Sequence, residues 1–257
     1  MLGKDSAISE VNELDKANFE NVSKGFGALA LLPDDVEKLY VQFHEAIGPH
    51  LLTPEARTAG ALFVLCRKHL TLGALSLFRL YSAQTYRESR AAIEAAGIAR
   101  LIQVDPAAFK VFSEDDGSEA ARRKGRKTFA PAILFPEGNP QMQLLSDFYD
   151  TASRLSHTSG MTFVRHLTQP SGGTARFSYQ DIAVNNVPHE FPMHLLTLCQ
   201  THLSILMAAD GIFADIKADV ASFQEERAVV FGRMVRFFEI YRNKTGPTSP
   251  PSSASPT

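Results

Sequence analysis

Apolar residues recur at three- and four-residue intervals along most of this chain, the spacing of one face of an α-helix. Residues 9–23 (SEVNELDKANFENVS) place Val11, Leu14 and Val22 on such a stripe. Pro33, followed by Asp34 and Asp35, predicts a helix start, because proline tolerates the first turn and acids favour its positive end. That helix should reach about Ile47, and Thr53-Pro54-Glu55 predicts the next start. No proline interrupts the chain from there to Val104. One helix of that length would run about 75 Å, too long for a compact domain. A break is therefore expected near 80–83, with Ser82 as N-cap and an antiparallel pair of helices over 54–79 and 83–103.

Residues 114–140 lose the periodicity, turn from acidic to basic, and read as an irregular charged insert. Pro140 opens another helix, in which Leu145, Phe148, Tyr149, Ala152 and Leu155 form a core face and Gly160 marks the end. Around PSGG the pattern alternates (TFVRHLTQ, ARFSYQDI), which predicts a small β-hairpin near 162–181. Two more helices follow, over about 189–210 and 217–242. The fold expected is all-α, a multi-helix bundle of about six to seven helices in a single domain over 1–243. Residues 244–257 (KTGPTSPPSSASPT) are expected to be a disordered Pro/Ser-rich tail.

Composition narrows the function classes. The chain has 257 residues, 44% hydrophobic and 21% charged, with net charge −2. These are globular values, and they give no global field for nucleic acid or an anionic membrane. Cys66 and Cys199 lie in apolar runs and are expected to be buried thiols. The N-terminal residues carry no apolar leader core, and the longest apolar stretch contains Arg67, Lys68, His69 and Arg79. A cytoplasmic protein with no membrane partner is the expectation.

Eight histidines raise the question of a metal. In HEFPMH, however, His189 and His194 are five apart with Pro192 between them, so they do not share a helix face. His194 and His202 sit among leucines, a setting for hydrogen-bonded core histidines. No metal and no cofactor is expected. Arg122, Arg123, Lys124, Arg126 and Lys127 form a local basic run, read as a solvated surface or as a nucleic-acid contact through phosphates.

The stretch YDTASRLSHTSG (149–160) carries the remaining chemistry. Asp150 and Arg154 are four apart in the favourable order for a helix-surface ion pair. Ser153, Arg154 and His157 lie close together near the helix C-terminus, where a protonated imidazole is favoured. A histidine to move protons and an arginine to neutralise phosphorane-like charge would suit RNA cleavage. The bland alternative is a surface ion pair beside a helix end.

Upstream, LYSAQTYRESRAAIEAA (80–96) sets Arg90 four residues before Glu94. Together with LLSDFYDTASRLSHTSG, over about 54–215, this resembles the helical-bundle families related to the HEPN superfamily. There an Arg…Glu helix precedes one with a Tyr…Ser…His pattern, matched here by Arg90, Glu94, Tyr149, Ser153 and His157. The resemblance implies an all-α bundle, often homodimeric. For some members it implies a metal-independent endoribonuclease in toxin–antitoxin or defence systems. Active members separate Arg from His by four to six residues, whereas Arg154 and His157 are separated by two. Arg90, Glu94, Arg154 and His157 would form the catalytic set, expected within about 8 Å of one another in a polar cleft. The alternative is a non-catalytic interaction bundle with a protein partner. It predicts a closed Arg90–Glu94 pair and an exposed apolar patch.

Overall fold

A computed structural model describes residues 7–156, 167–168, 176–177, 190–216 and 218–244. Among them are ten α-helices: α1 (Ala7–Phe26), α2 (Leu32–Ile47), α3 (Pro54–Phe78), α4 (Ser82–Val104), α5 (Pro106–Ser113), α6 (Glu119–Thr128), α7 (Pro131–Leu134), α8 (Pro140–Ser156), α9 (Phe191–Ile212) and α10 (Ala221–Lys244). Leu167–Thr168 and Arg176–Phe177 pair as two short antiparallel strands. They do not amount to the expected hairpin, the rest of which lies outside the described residues. So do residues 245–257 of the expected tail.

The helix starts follow local chemistry. Pro33, Asp34 and Asp35 occupy the first turn of α2. Thr53 caps α3, its hydroxyl accepting from the Ala56 amide at 3.1 Å. The break between α3 and α4 falls at Leu80, a non-glycine residue held at φ +66°. Ser82 is the first residue of α4 rather than its cap, and Tyr81 at the cap position contributes no side-chain bond.

Three cross-contacts fix the pairing of these two helices. Thr85 donates to the Gly73 carbonyl, Glu88 meets His69, and Cys66 donates to the Ala92 carbonyl. One number rises as the other falls, so α3 and α4 are antiparallel, as expected.

The bundle exceeds six to seven helices because the charged insert over 114–140 holds α6 and α7, and α5 forms immediately before it. Asp105 caps α5, accepting from the Ala107 amide, and Ser118 caps α6, accepting from the Ala121 amide. In α6 Glu119 lies in the first turn and Arg126 and Lys127 in the last, so the charges complement the helix dipole. The acidic-to-basic shift that reads as irregular sequence is a helix-end pattern.

The core forms around α9, whose apolar residues are buried on nearly every side. Leu195, Leu196, Cys199, Ile205, Leu206 and Ala209 are at most 1% exposed. This helix packs against α2, α3, α4, α8 and α10. By length and composition, α3 and α9 are both apolar enough to cross a membrane, and 72% of the α9 window is buried inside the bundle. The core helix of a soluble protein passes the same test. Phe43 of α2, Phe63 of α3, Phe213 after α9 and Phe223 of α10 lock the four segments at one end, with ring centroids 5.2–5.6 Å apart. Both cysteines are free and buried.

Candidate functional site

Arg90 and Glu94 lie one helical turn apart on α4 and face α8. The Arg90 Nε–Glu94 Oε1 distance is 3.2 Å. Tyr149 of α8 closes the cluster: Arg90 Nη2 donates to its hydroxyl at 2.9 Å, and the hydroxyl donates to Glu94 Oε1 at 3.0 Å. The Tyr149 ring packs on Phe135 at 5.6 Å, which fixes the phenol from its apolar side. Burial, and then the charge of Glu94, raise the phenol's pKa above its ordinary value. It therefore stays protonated at neutral pH. Burial works against the Arg90 charge, but Tyr149 and Glu94 more than offset it, and its pKa lies above the usual guanidinium value. The cluster is not sealed: the Arg90 and Glu94 side chains are 33% and 39% exposed.

Tyr149→Phe should cost about 1–2 kcal/mol of unfolding free energy, because it removes a hydroxyl bonded to two charged groups. Urea denaturation measures this. A loss below about 0.3 kcal/mol would mean that water replaces the hydroxyl at no cost.

The proposed catalytic set is only partly assembled among the described residues. Arg90 and Glu94 meet, but the third member of their cluster is Tyr149 and not Arg154. Arg154 is exposed on α8. The ion pair expected between Asp150 and Arg154 is not formed. His157 lies outside the described residues. The buried face of α8 consists of Met142, Leu145, Tyr149, Ala152 and Ser156. Leu155, expected on that face, is 42% exposed. Ser153, one turn beyond Tyr149, has a buried Oγ with no hydrogen-bond partner.

The basic run lies on α6 and not in a loop. Arg122, Gly125, Arg126 and Phe129 follow one another at i, i+3, i+4 and i+7, which is one helix face. That face forms a wall of a groove of about 710 Å³, with Phe112 of α5 and Glu94 of α4 on other sides. Asp115 also lines it. Phe112 and Phe129 meet edge to face, with centroids 6.1 Å apart. Leu134 also lines the groove, and the Arg100 guanidinium donates to the carbonyls of Ile133 and Leu134. Close approach at Gly97 seats α7 there, since a Cβ would lie 3.0 Å from Leu134 Cβ. Arg123 instead pairs with Glu119 on the exposed side, and Lys124 and Lys127 are also exposed. Of the five basic residues, Arg122 and Arg126 are the two that line the groove.

Three histidines are hydrogen-bonded within the bundle, whereas both ring nitrogens of His44 are buried without a hydrogen-bond partner. His202, fully buried, shares a 3.0 Å bond with the Tyr40 hydroxyl, and burial lowers its pKa to about 3. His194 bonds the Tyr86 hydroxyl at 2.6 Å, and His69 bonds Glu88 at 2.7 Å. Among the described residues no cluster of three or more His, Cys, Asp or Glu side chains is placed to hold a metal.

Sequence reasoning missed the contribution of Phe112, Phe129 and Gly125 to a groove. The i, i+3, i+4, i+7 spacing from Arg122 to Phe129 was the available signal. Comparisons with family profiles, characterised proteins and solved structures find no match to this chain.

Proposed function

We propose that this chain is an RNA-interacting helical bundle of the HEPN-like type, with its site along the α4–α8 seam and the adjoining groove. One observation supports this most directly: Glu94, a member of the Arg90–Glu94–Tyr149 cluster, lines the same groove as Arg122 and Arg126. Two guanidinium groups can hold phosphates there, and half-buried aromatic rings offer a surface for a base. Cleavage without a metal is the activity such a site would support. The 2′-oxygen would bond to phosphorus as the P–O5′ bond breaks, leaving a 2′,3′-cyclic phosphate and a 5′-hydroxyl. His157 would move the proton from the 2′-hydroxyl toward the departing 5′-oxygen, with arginine charge stabilising the phosphorane-like transition state. A toxin–antitoxin or defence role in the cytoplasm fits such an activity.

The test is incubation of several RNAs with the purified protein in EDTA, beside His157→Ala with an unchanged melting curve. Fragments from the parent protein and at least 100-fold slower cleavage by the variant are expected for loss of a general acid–base group. Equal cleavage by both proteins would remove His157 from the mechanism.

A second reading, a non-catalytic accessory bundle, is favoured by two features. The Arg90–Glu94–Tyr149 cluster is joined by internal hydrogen bonds. In addition, α3 exposes Val64, Leu72 and Leu75, at 53%, 38% and 39%. No cleavage by either protein across several RNAs, together with no RNA binding, would favour this reading.

A further inference from the structure

The groove between α4, α5 and α6 has a composition that neither phosphate attraction nor bundle stability accounts for. Glycine in a helix interior costs about 1 kcal/mol relative to alanine. Gly125 is in the middle of α6, with no positive φ, and a Cβ built there meets nothing within 4 Å. Neither backbone conformation nor close packing requires glycine at that position. It lies on the groove wall between Arg122 and Arg126, where a side chain would project into open space.

The two arginines are one turn apart on this face, so their guanidinium groups can close on one phosphate from two sides. Phe112 and Phe129 are half-buried, and together they form an aromatic corner rather than a flat core contact. The groove volume of about 710 Å³ is within the range of small-molecule sites. Glu94 and Asp115 add carboxylate acceptors to the lining, suited to ribose hydroxyls or base N–H groups and opposed to a second phosphate.

We infer that this groove is a site for a nucleoside monophosphate unit. The phosphate lies between Arg122 and Arg126, the base rests on the Phe112–Phe129 corner, and Gly125 leaves room for the sugar to approach α6. As a subsite for one nucleotide of single-stranded RNA it rests on the RNA reading above. As a site for free nucleotide it does not need that reading.

The experiment titrates the full chain with AMP by calorimetry and with a fluorescein-labelled single-stranded oligoribonucleotide by anisotropy. Gly125→Leu fills the groove and should melt no lower than the parent, because leucine is the better helix former. It is expected to weaken AMP binding at least tenfold. The Arg122→Ala/Arg126→Ala double variant should do the same. Lys124→Ala/Lys127→Ala, on exposed positions away from the groove, should leave AMP affinity unchanged.

Unaltered AMP affinity in Gly125→Leu, or no saturable AMP binding by the parent at millimolar concentrations, would overturn the assignment. Equal losses in the arginine and lysine double variants would also overturn it, since general electrostatics would then suffice. RNA binding and AMP binding both untouched by Gly125→Leu sink the groove and leave the RNA reading standing. AMP binding abolished by Gly125→Leu, with no RNA association, upholds the groove and sinks the RNA reading.

Discussion

Phe43→Ala is expected to lower the unfolding free energy by about 3–5 kcal/mol, the usual cost of truncating a buried aromatic residue. Phe43 is 2% exposed and its ring meets Phe63, Phe213 and Phe223, which belong to three other segments of the bundle. Removing it takes away the ring's transfer free energy and leaves a void among large rings that fixed helices cannot fill. Domains of this kind are stable by about 5–15 kcal/mol, so the variant would lose a large share of the total. Urea unfolding should show a lower midpoint with an unchanged slope. A loss below about 1.5 kcal/mol would mean that neighbouring side chains collapse into the gap and that the four rings do not clamp the bundle end.

The second large effect is a loss of stability in mild acid. His202 is fully buried, and burial above all, with His69 nearby, lowers its pKa to about 3. In the unfolded chain a histidine titrates near 6.5. Below that pH the unfolded state takes up a proton that the folded state refuses. His202 therefore contributes stability that is fully present above about pH 6.5 and is lost as pH falls toward about 3. The limiting slope is about 1.4 kcal/mol per pH unit, so cooling of stability between pH 7 and pH 5 should reach roughly 2 kcal/mol. His44, also lowered by burial, adds to the loss with the same sign.

Unfolding free energy measured from pH 7.5 to 5 should fall along this curve. His202→Asn keeps a polar group beside Tyr40 but does not titrate, and should flatten the curve by about that amount. Parallel pH profiles for the two proteins would show that His202 is not protonated on unfolding in this window.

The pattern of the chain made the long elements legible and hid the groove. Helix starts at Pro33 and Pro54 follow from local chemistry, which acts within a few residues, whereas the break between α3 and α4 follows from the length that one unbroken helix would have. The aromatic clamp was not legible: Phe43 and Phe213 are distant in sequence, and no periodicity joins them. The stretch 114–140 misled for a specific reason. Its charges resemble a solvated loop, although Ser118 is a good cap and the order of charges suits the α6 dipole. Once α5 and α6 are helices, Phe112, Arg122, Arg126 and Phe129 converge.

At the α4–α8 seam the Arg90–Glu94 pair was readable from its four-residue spacing. Closure of that pair by the Tyr149 hydroxyl depends on how α8 is rotated against α4, which only packing decides. The same rotation leaves Arg154 exposed.

Equilibrium binding of a single-stranded oligoribonucleotide across a salt series decides whether this chain associates with RNA. Two phosphate contacts from Arg122 and Arg126 predict that log K falls with log salt at a slope near −1.4, about −0.7 for each contact. Arg122→Ala should reduce that slope by about 0.7. Absence of binding at low salt, or a slope unchanged in the variant, would contradict the account and leave the accessory bundle as the better reading.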